Sequence, residues 1–433
     1  MVEIYMLESN CTTSGVAYVL PVLLFAALAV GVLSDPIFDV TDYGAIGDGT
    51  TNDTEAFMHA WDAACVGAHS DDDAPTFLVP EGKTFLLSAV SFEGPCSYPI
   101  HIQIDGTILA PNETWTLEED IWIIFQHING LTINGSGLID GQGSIWWDCR
   151  AQEQCDNAPK AFVVRNCTNV SLNGLDFKNS PMMHLTIQQS SVVSVRGITI
   201  TAPEDSPNTD GIHIGRSKHV QIMNSNIGTG DDCISIETST VDVNISHVTC
   251  GPGHGISIGS LGEDDSEARV EGIRVSYCQF NGTSNGVRIK TCQGGFGHVK
   301  RVLFEHINFT SVQYPIIIDQ YYGAGPNKFS CNNLTSTASR DALFIRDNGC
   351  NSHVHTLAVQ VSNVQYVDLV GSSATDEAIV LKCSQSKACT NLAMNNVKLQ
   401  SADPGKNITT TCFNAYVTKT GPVLPTLSCS MQD

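Results

Sequence analysis

Asp210, Asp232 and His254 recur at equal steps of 22 residues (210 to 232, 232 to 254), and Asp231 adjoins Asp232. Arg288 and Lys290 follow in Arg288-Ile289-Lys290. Carboxyls crowded together cannot all ionise easily, so one of such a group keeps a proton while another stays charged. That division of labour is what general acid–base catalysis needs. Spacing does not say which carboxyl keeps the proton. Arg offers a bidentate fork to a carboxylate and Lys adds a point charge, so Arg288 and Lys290 suit an acidic ligand. Singly, each feature has an ordinary explanation: a solvated Asp-Asp turn, a surface histidine, two cations that aid solubility on an exposed strand face. Their coincidence in one column argues for a site, because structural charges have no reason to concentrate like charge.

The column follows from a repeat. Asp210 precedes Gly211-Ile212-His213-Ile214, and Asp232 precedes Cys233-Ile234-Ser235-Ile236. His254 precedes Gly255-Ile256-Ser257-Ile258, and Asn285 precedes Gly286-Val287-Arg288-Ile289. Aligned, these place Asp210, Asp232, His254 and Asn285 at one position. An eight-residue pattern, apolar at positions one, three, six and eight, begins at Val170, Val193, Val243, Ile273, Val302, Val359 and Leu392. Val220 and Leu131 begin poorer copies with Ser at position six. Alternating apolar positions broken by Asn, Gly and Ser read as short strands and turns. Such a repeat, without helical periodicity, predicts an all-β chain wound as a single right-handed parallel β-helix. Coils stack about 4.8 Å apart, so the column becomes a line of neighbours on one face. Propeller blades would be longer, and a sandwich would need hairpin turns. Strand parity turns Arg288 and Lys290 outward but would turn Asp210 and Asp232 inward. A bend ahead of the strand, at Gly228-Thr229-Gly230, is expected to bring the acids out.

The remainder of the chain bounds the setting. Its 433 residues are 42% apolar and 15% charged, with net charge −23 and pI near 4.7. That balance excludes a nucleic-acid partner. Residues 1–34 contain an apolar run, 16–33, and are expected to be a secretory signal peptide cut near Ser34; the competing reading is an uncleaved membrane anchor. Residues 35–433 are expected to form one domain. The chain has 16 Cys, 15 of them after the apolar run. Local disulfides are predicted at Cys149–Cys155, Cys233–Cys250, Cys383–Cys389 and Cys412–Cys429, with at least one thiol left over because the count is odd. The Cys are not arranged for zinc, and neither metal nor cofactor is expected. Sequons at Asn52, Asn112, Asn134, Asn166, Asn169, Asn244, Asn281, Asn308, Asn333 and Asn407 suit a secreted glycoprotein. Asn52 to Glu55 opens a short helix, Ala56 to Ala64, expected to cap one end of the solenoid. Residues 141–160, with two Trp, read as a packed loop insertion.

The blocks Asn208-Thr209-Asp210, Gly230-Asp231-Asp232, Gly253-His254-Gly255 and Arg288-Ile289-Lys290, in this order and spacing, resemble the polygalacturonase family of glycoside hydrolases. From Ile37 to about Tyr322 the running text is similar to plant members. The resemblance implies hydrolysis of α-1,4 bonds between galacturonic acid units of pectin, by a secreted, extracellular or cell-wall enzyme acting as a monomer. It implies Asp231 as general acid, Asp210 and Asp232 as the groups that hold and activate water, and His254 as the partner of Asp231. It implies Asn208, Arg288, Lys290 and a Tyr after the strand Pro315 to Gln320 as substrate-binding residues. That Tyr is matched to Tyr322, with Tyr321 the competitor. It also implies inversion, although a one-rung step of about 5 Å is shorter than the usual inverting separation of roughly 6.5–9.5 Å. The alternatives are a rhamnogalacturonan hydrolase and a non-catalytic wall-polysaccharide-binding β-helix. A lyase would call for a calcium cage and an Arg base.

Overall fold

Every coil lays the same alternation of apolar residues over the coil beneath it, and the backbone pairs in register as a result. The computed structural model describes residues 36–67, 74–115, 119–155, 157–323 and 357–429. The signal-peptide reading of residues 1–34 and the sequon at Asn333 fall outside the described residues. The described strands form two parallel sheets of 21 and 11 strands. A chain that returns to a parallel neighbour coil after coil winds right-handed, so the expected right-handed parallel β-helix is the fold. Inside the 11-stranded sheet, Ile187, Ile214, Ile236, Ile258, Ile289 and Ile318 stack rung on rung, each 1% exposed or less. Burying each contributes about 1.5–3 kcal/mol.

The eight-residue pattern has a structural reason. In the longer sheet each coil bends at position five, where φ is positive: 53° at Asn224, 54° at His247, 55° at Tyr277 and 52° at His306. The bend resets the alternation, so positions one and three, then six and eight, all face the core. Two of the predicted frames need correction. Val302 pairs with Val364, so the copy expected at Val359 begins five residues later and bends at Asp368 (φ 55°). The mistake arose because Asn363, at φ 54°, marks a different bend with similar apolar flanks. In the copy at Leu131, Ile139 pairs with Phe177 and Leu131 with Val170, a difference of one residue. That inserted residue puts Ile139 in the core instead of Leu138. Ser225, at position six of the Val220 copy, is a true core residue. It is 1% exposed, donates to the Met223 carbonyl and accepts from the Ile198 N–H.

Helix α1 (Thr54–Val66) lies at the N-terminal end and buries Phe57, Ala60, Trp61 and Ala64. Its ring contacts reach Phe77, Phe85, Phe92 and Phe125, so the expected cap covers the first rungs. Asp53, 3% exposed, accepts from the N–H groups of Ile46 and Gly47 and so locks the Gly-rich turn to the helix start. Residues 141–160 contain a second helix, α2 (Ser144–Ala151), absent from the sequence expectation. Its Trp146 is 4% exposed and meets Trp115 edge to face at 5.1 Å, as the packing reading required.

All four predicted disulfides are formed. Cys65–Cys96, which spans 31 residues and ties α1 to the solenoid, is one that local spacing did not suggest. Cys167 and Cys278 are free and buried in the core. Replacing Cys233 and Cys250 together by Ser is expected to cost about 2–4 kcal/mol of stability, measured by denaturant unfolding. An unreduced peptide map of the parent protein should contain the cross-linked fragment.

Candidate active site

Four consecutive rungs hold the predicted residues: β1 (Ile212–Gly215), β2 (Ile234–Ile236), β3 (Ile256–Leu261) and β4 (Asn285–Thr291). Ile212 pairs with Ile234, Ile234 with Ile256, and Ile256 with Val287. Two residues back, Asp210, Asp232, His254 and Asn285 therefore fall in one column, as the repeat predicted. The parity problem is solved by where the strands begin. Asp210 and Asp232 precede β1 and β2, so the pleat does not dictate their direction. The turn before β2 is held by Ser206, Thr209 and Thr229, each 2% exposed or less. The Ser206 and Thr209 hydroxyls are 2.6 Å apart, and Gly230 N–H donates to Thr209 Oγ1. Gly230 passes so close to Ser206 that a Cβ there would lie 2.0 Å from its carbonyl oxygen.

Asp231 and His254 form the outer pair. Asp231 Oδ1 accepts from the Asp232 N–H at 2.7 Å and lies 3.0 Å from His254 Nδ1. Asp210 and Asp232 lie deeper, at 7% and 1% exposure. Arg288 Nη2 meets Asp232 Oδ1 at 2.7 Å, and Lys290 Nζ stands 3.2 Å from Oδ2. Ser257 Oγ also donates to Asp232 Oδ1 at 2.7 Å and accepts from Arg288 Nε. Arg288 and Lys290 do leave the core side of β4, but the expectation of an exposed face is corrected: they are 5% and 6% exposed. Their charged ends fold onto the buried carboxylate.

Of the two candidate tyrosines, Tyr322 stands at the cations. Its ring centroid is 4.8 Å from Lys290 Nζ and 5.9 Å from Arg288 Cζ. The Tyr321 hydroxyl instead accepts from the Gln385 N–H. Asn208 sits half-buried at the turn before Asp210, with φ 56°. The sequence reading missed the serines. Ser235 Oγ donates to Asp210 Oδ2 at 2.6 Å, just as Ser257 does to Asp232 one coil later. The signal was available: Ile-Ser-Ile occurs twice, each Ser 25 residues after an acid (210 to 235, 232 to 257). Ligand atoms of Asp231, Asp232 and His254 lie within 4.8 Å of one another, close enough to share a cation. Arg288 and Lys290 already neutralise Asp232, which removes the driving force for one.

The model of Glycosyl hydrolases family 28 matches residues 70–341 and 341–421. The chain belongs to this family. It is 40% identical over 387 residues to a polygalacturonase of Persea americana, covering 88% of this chain and 77% of that one. A polygalacturonase structure from Erwinia carotovora ssp. carotovora superposes with TM-score 0.67 at 23% identity, covering 89% of this chain and 97% of the other. The endo-xylogalacturonan hydrolase of Aspergillus tubingensis superposes with TM-score 0.72 at 22% identity, over 88% and 98%. At these identities the two structures establish a shared fold.

Within this family 28 hydrolase the three acids are electrostatically unequal. Burial, and then the like charges of Asp231 and Asp232, push the Asp210 carboxyl well above the usual carboxylate range; the Ser235 hydrogen bond and Lys290 offset only part of this. Burial also pushes Asp231 up, but the hydrogen bond and charge of His254, with Lys290 and Arg288, outweigh it and bring Asp231 down to about 2. The cluster's proton therefore rests on Asp210, and Asp231 rests ionised against His254.

Two outcomes follow. Arg288→Ala leaves the buried Asp232 charge short of its main partner and is expected to cost about 3–5 kcal/mol of stability, read from denaturant midpoints. Asp210 holds its proton more tightly folded than unfolded, so its stabilising contribution is full below about pH 4 and is lost as pH rises through the raised value. Asp210→Asn should therefore gain stability relative to the parent between pH 4 and pH 8, as paired melts at both pH values will show.

Proposed function

We propose that this chain hydrolyses the α-1,4 bonds between galacturonic acid units of polygalacturonate, with inversion, in the extracellular space. It is a pectin-degrading glycoside hydrolase. The observation that carries the reading is the unequal acid cluster beside Arg288 and Lys290, in a chain of this family: Asp210 is pushed up by burial and like charge, Asp231 is held down against His254, and Asp232 is paired with two cations. Inverting hydrolysis needs one carboxyl to protonate the leaving oxygen and another to take a proton from water.

In this reading Asp231 is the general acid. A proton shared across the 3.0 Å contact with His254 moves to Asp231 as the leaving oxygen approaches, which gives the imidazole its role. Asp232, its charge held by Arg288 and Lys290, orients the attacking water. Asp210, once it has released its resting proton to solvent, takes the proton the water gives up as its oxygen bonds to the anomeric carbon. The high proton affinity that keeps Asp210 protonated at rest also makes its ionised form the stronger base. The uronate carboxylate meets Lys290, Tyr322 and Asn208, with the Arg288 charge behind them. These cations answer the chain's net charge of −23 locally, where a polyanionic substrate must approach. Five described disulfides and exposed sequons at Asn281, Asn308 and Asn407 support secretion.

Reducing-sugar release from polygalacturonate tests the reading. Asp231→Asn matches Asp in size, so the rung still stacks, but it has no proton to deliver. Turnover is expected to fall about a hundredfold to ten-thousandfold, with melting and oligogalacturonide binding retained. Near-normal turnover in a folded variant would move the acid role to a neighbour. Preference for rhamnogalacturonan over polygalacturonate would overturn the substrate. On the parent enzyme, monomer alone at the earliest times means exo action, and mixed oligomers mean endo action.

A further inference from the structure

A polar chain runs outward from Asp210, and the steps above leave it unused. Ser235 Oγ lies 2.6 Å from Asp210 Oδ2. His213 Nδ1 lies 2.8 Å from Ser235 Oγ, and His213 Nε2 lies 3.4 Å from Glu237 Oε1. Ser235 and His213 are 3% and 8% exposed, whereas the Glu237 side chain is 46% exposed. The chain thus joins a buried carboxyl to one that water reaches. Strand register builds it. His213 and Ser235 are paired neighbours on β1 and β2, and Glu237 follows two residues after Ser235. Gly215 leaves the space that Glu237 occupies: a Cβ there would lie 3.0 Å from Glu237 Oε2.

We propose that Ser235, His213 and Glu237 form a proton path that carries the proton Asp210 takes from water out to solvent. The inference rests on Asp210 acting as the base. Two hydrogen arrangements fit the distances and hold the same number of protons. In the first, Asp210 is protonated and donates to Ser235, Ser235 donates to His213 Nδ1, and neutral His213 keeps its Nε2 hydrogen towards Glu237. In the second, Asp210 is ionised and accepts from Ser235, while a doubly protonated His213 donates to Ser235 from Nδ1 and faces Glu237 through Nε2–H. Passing from the first to the second breaks the O–H bonds of Asp210 and Ser235 and forms an O–H bond at Ser235 and an N–H bond at His213. No electrons change hands. The Nε2 proton then leaves through Glu237 to water and Asp210 stays ionised; exchange of the remaining Nδ1 hydrogen for one on Nε2, through solvent, restores the first arrangement for another turnover.

Among the described residues, the groups around this path are few. Thr186 faces His213 from the rung below and Ser235 from the rung above. Asp231, Asp232 and Lys290 act on Asp210, and Lys160 and Arg216 act with His213 on Glu237. Asp210 needs such an exit because burial and its acidic neighbours make it retain a proton once gained. Its backbone is held separately. His184 Nδ1 lies 3.0 Å from the Asp210 carbonyl oxygen, and the Ser180 N–H donates to His184 Nε2. Altering the path should therefore leave Asp210 in place.

The test is steady-state kinetics on polygalacturonate across pH, in H2O and D2O, for His213→Gln and Ser235→Ala alongside their melts. His213→Gln keeps an amide donor for Ser235 but cannot carry a proton. Its kcat is expected to fall about tenfold to hundredfold at unchanged KM, with a larger solvent isotope effect and partial rescue by added imidazole. Ser235→Ala removes a hydrogen bond that favours ionised Asp210, so the acid limb of kcat/KM should move to higher pH. Folded variants with the parent's kcat, isotope effect and acid limb would overturn the proposal, as would activity lost only in proportion to the folded fraction. If Ser235→Ala does not fold, His213→Gln decides alone. A parent protein inactive on polygalacturonate sinks both this path and the substrate reading; an active parent with unchanged variants sinks the path alone.

Discussion

Asp232 is 1% exposed, and an ionised carboxylate at that depth is stable only with cations and donors at hydrogen-bonding distance. Arg288 and Lys290 supply the charge from β4, two rungs above, and Ser257 bridges on the rung between. This contact joins three coils and sets the state of the other acids. Burial, then the charges of Asp231 and Asp232, raise Asp210, while His254 and then the cations that hold Asp232 lower Asp231. The remaining architecture serves to keep those rungs in register.

The unequal acids answer a chemical need. Three identical carboxyls on adjacent rungs would share protons without assigned roles. Depth and partner separate them here: Asp210 lies deep with a hydroxyl donor, Asp232 is deepest with two cations, and Asp231 stands at the rim against His254. The coil repeat puts Asp210 and Asp232 on neighbouring rungs with Asp231 beside Asp232, and the differences come from what the next rung offers. Ser235, Ser257 and Arg288 occupy the offering positions for Asp210 and Asp232, because the outward column of the sheet passes through them; His254, in the column of the acids, serves Asp231.

Repetition itself misleads where two bends look alike. The frame taken at Val359 failed because Asn363 and Asp368 both adopt positive φ within apolar alternations, and only strand pairing distinguishes them. Likewise, one inserted residue in the copy at Leu131 exchanges Leu138 for Ile139 in the core. Cys65–Cys96 escaped notice for a related reason: its 31 residues run from the capping helix to the solenoid, so chain distance gives no hint of proximity.

Local pattern alone determined the solenoid, the column Asp210–Asp232–His254, the outward parity of Arg288 and Lys290, and the four short-range disulfides. These depend on periodicities of two and of one coil, which are written directly in residue order. Tertiary structure decided depth and pairing. That Arg288 and Lys290 turn onto Asp232, that Ser235 and Ser257 each serve the acid one rung below, and that the resting proton lies on Asp210 all depend on side-chain reach between coils and on exclusion of water. A sequence repeat specifies which residues become neighbours. Burial and charge, summed over several coils at once, specify what those neighbours do to one another.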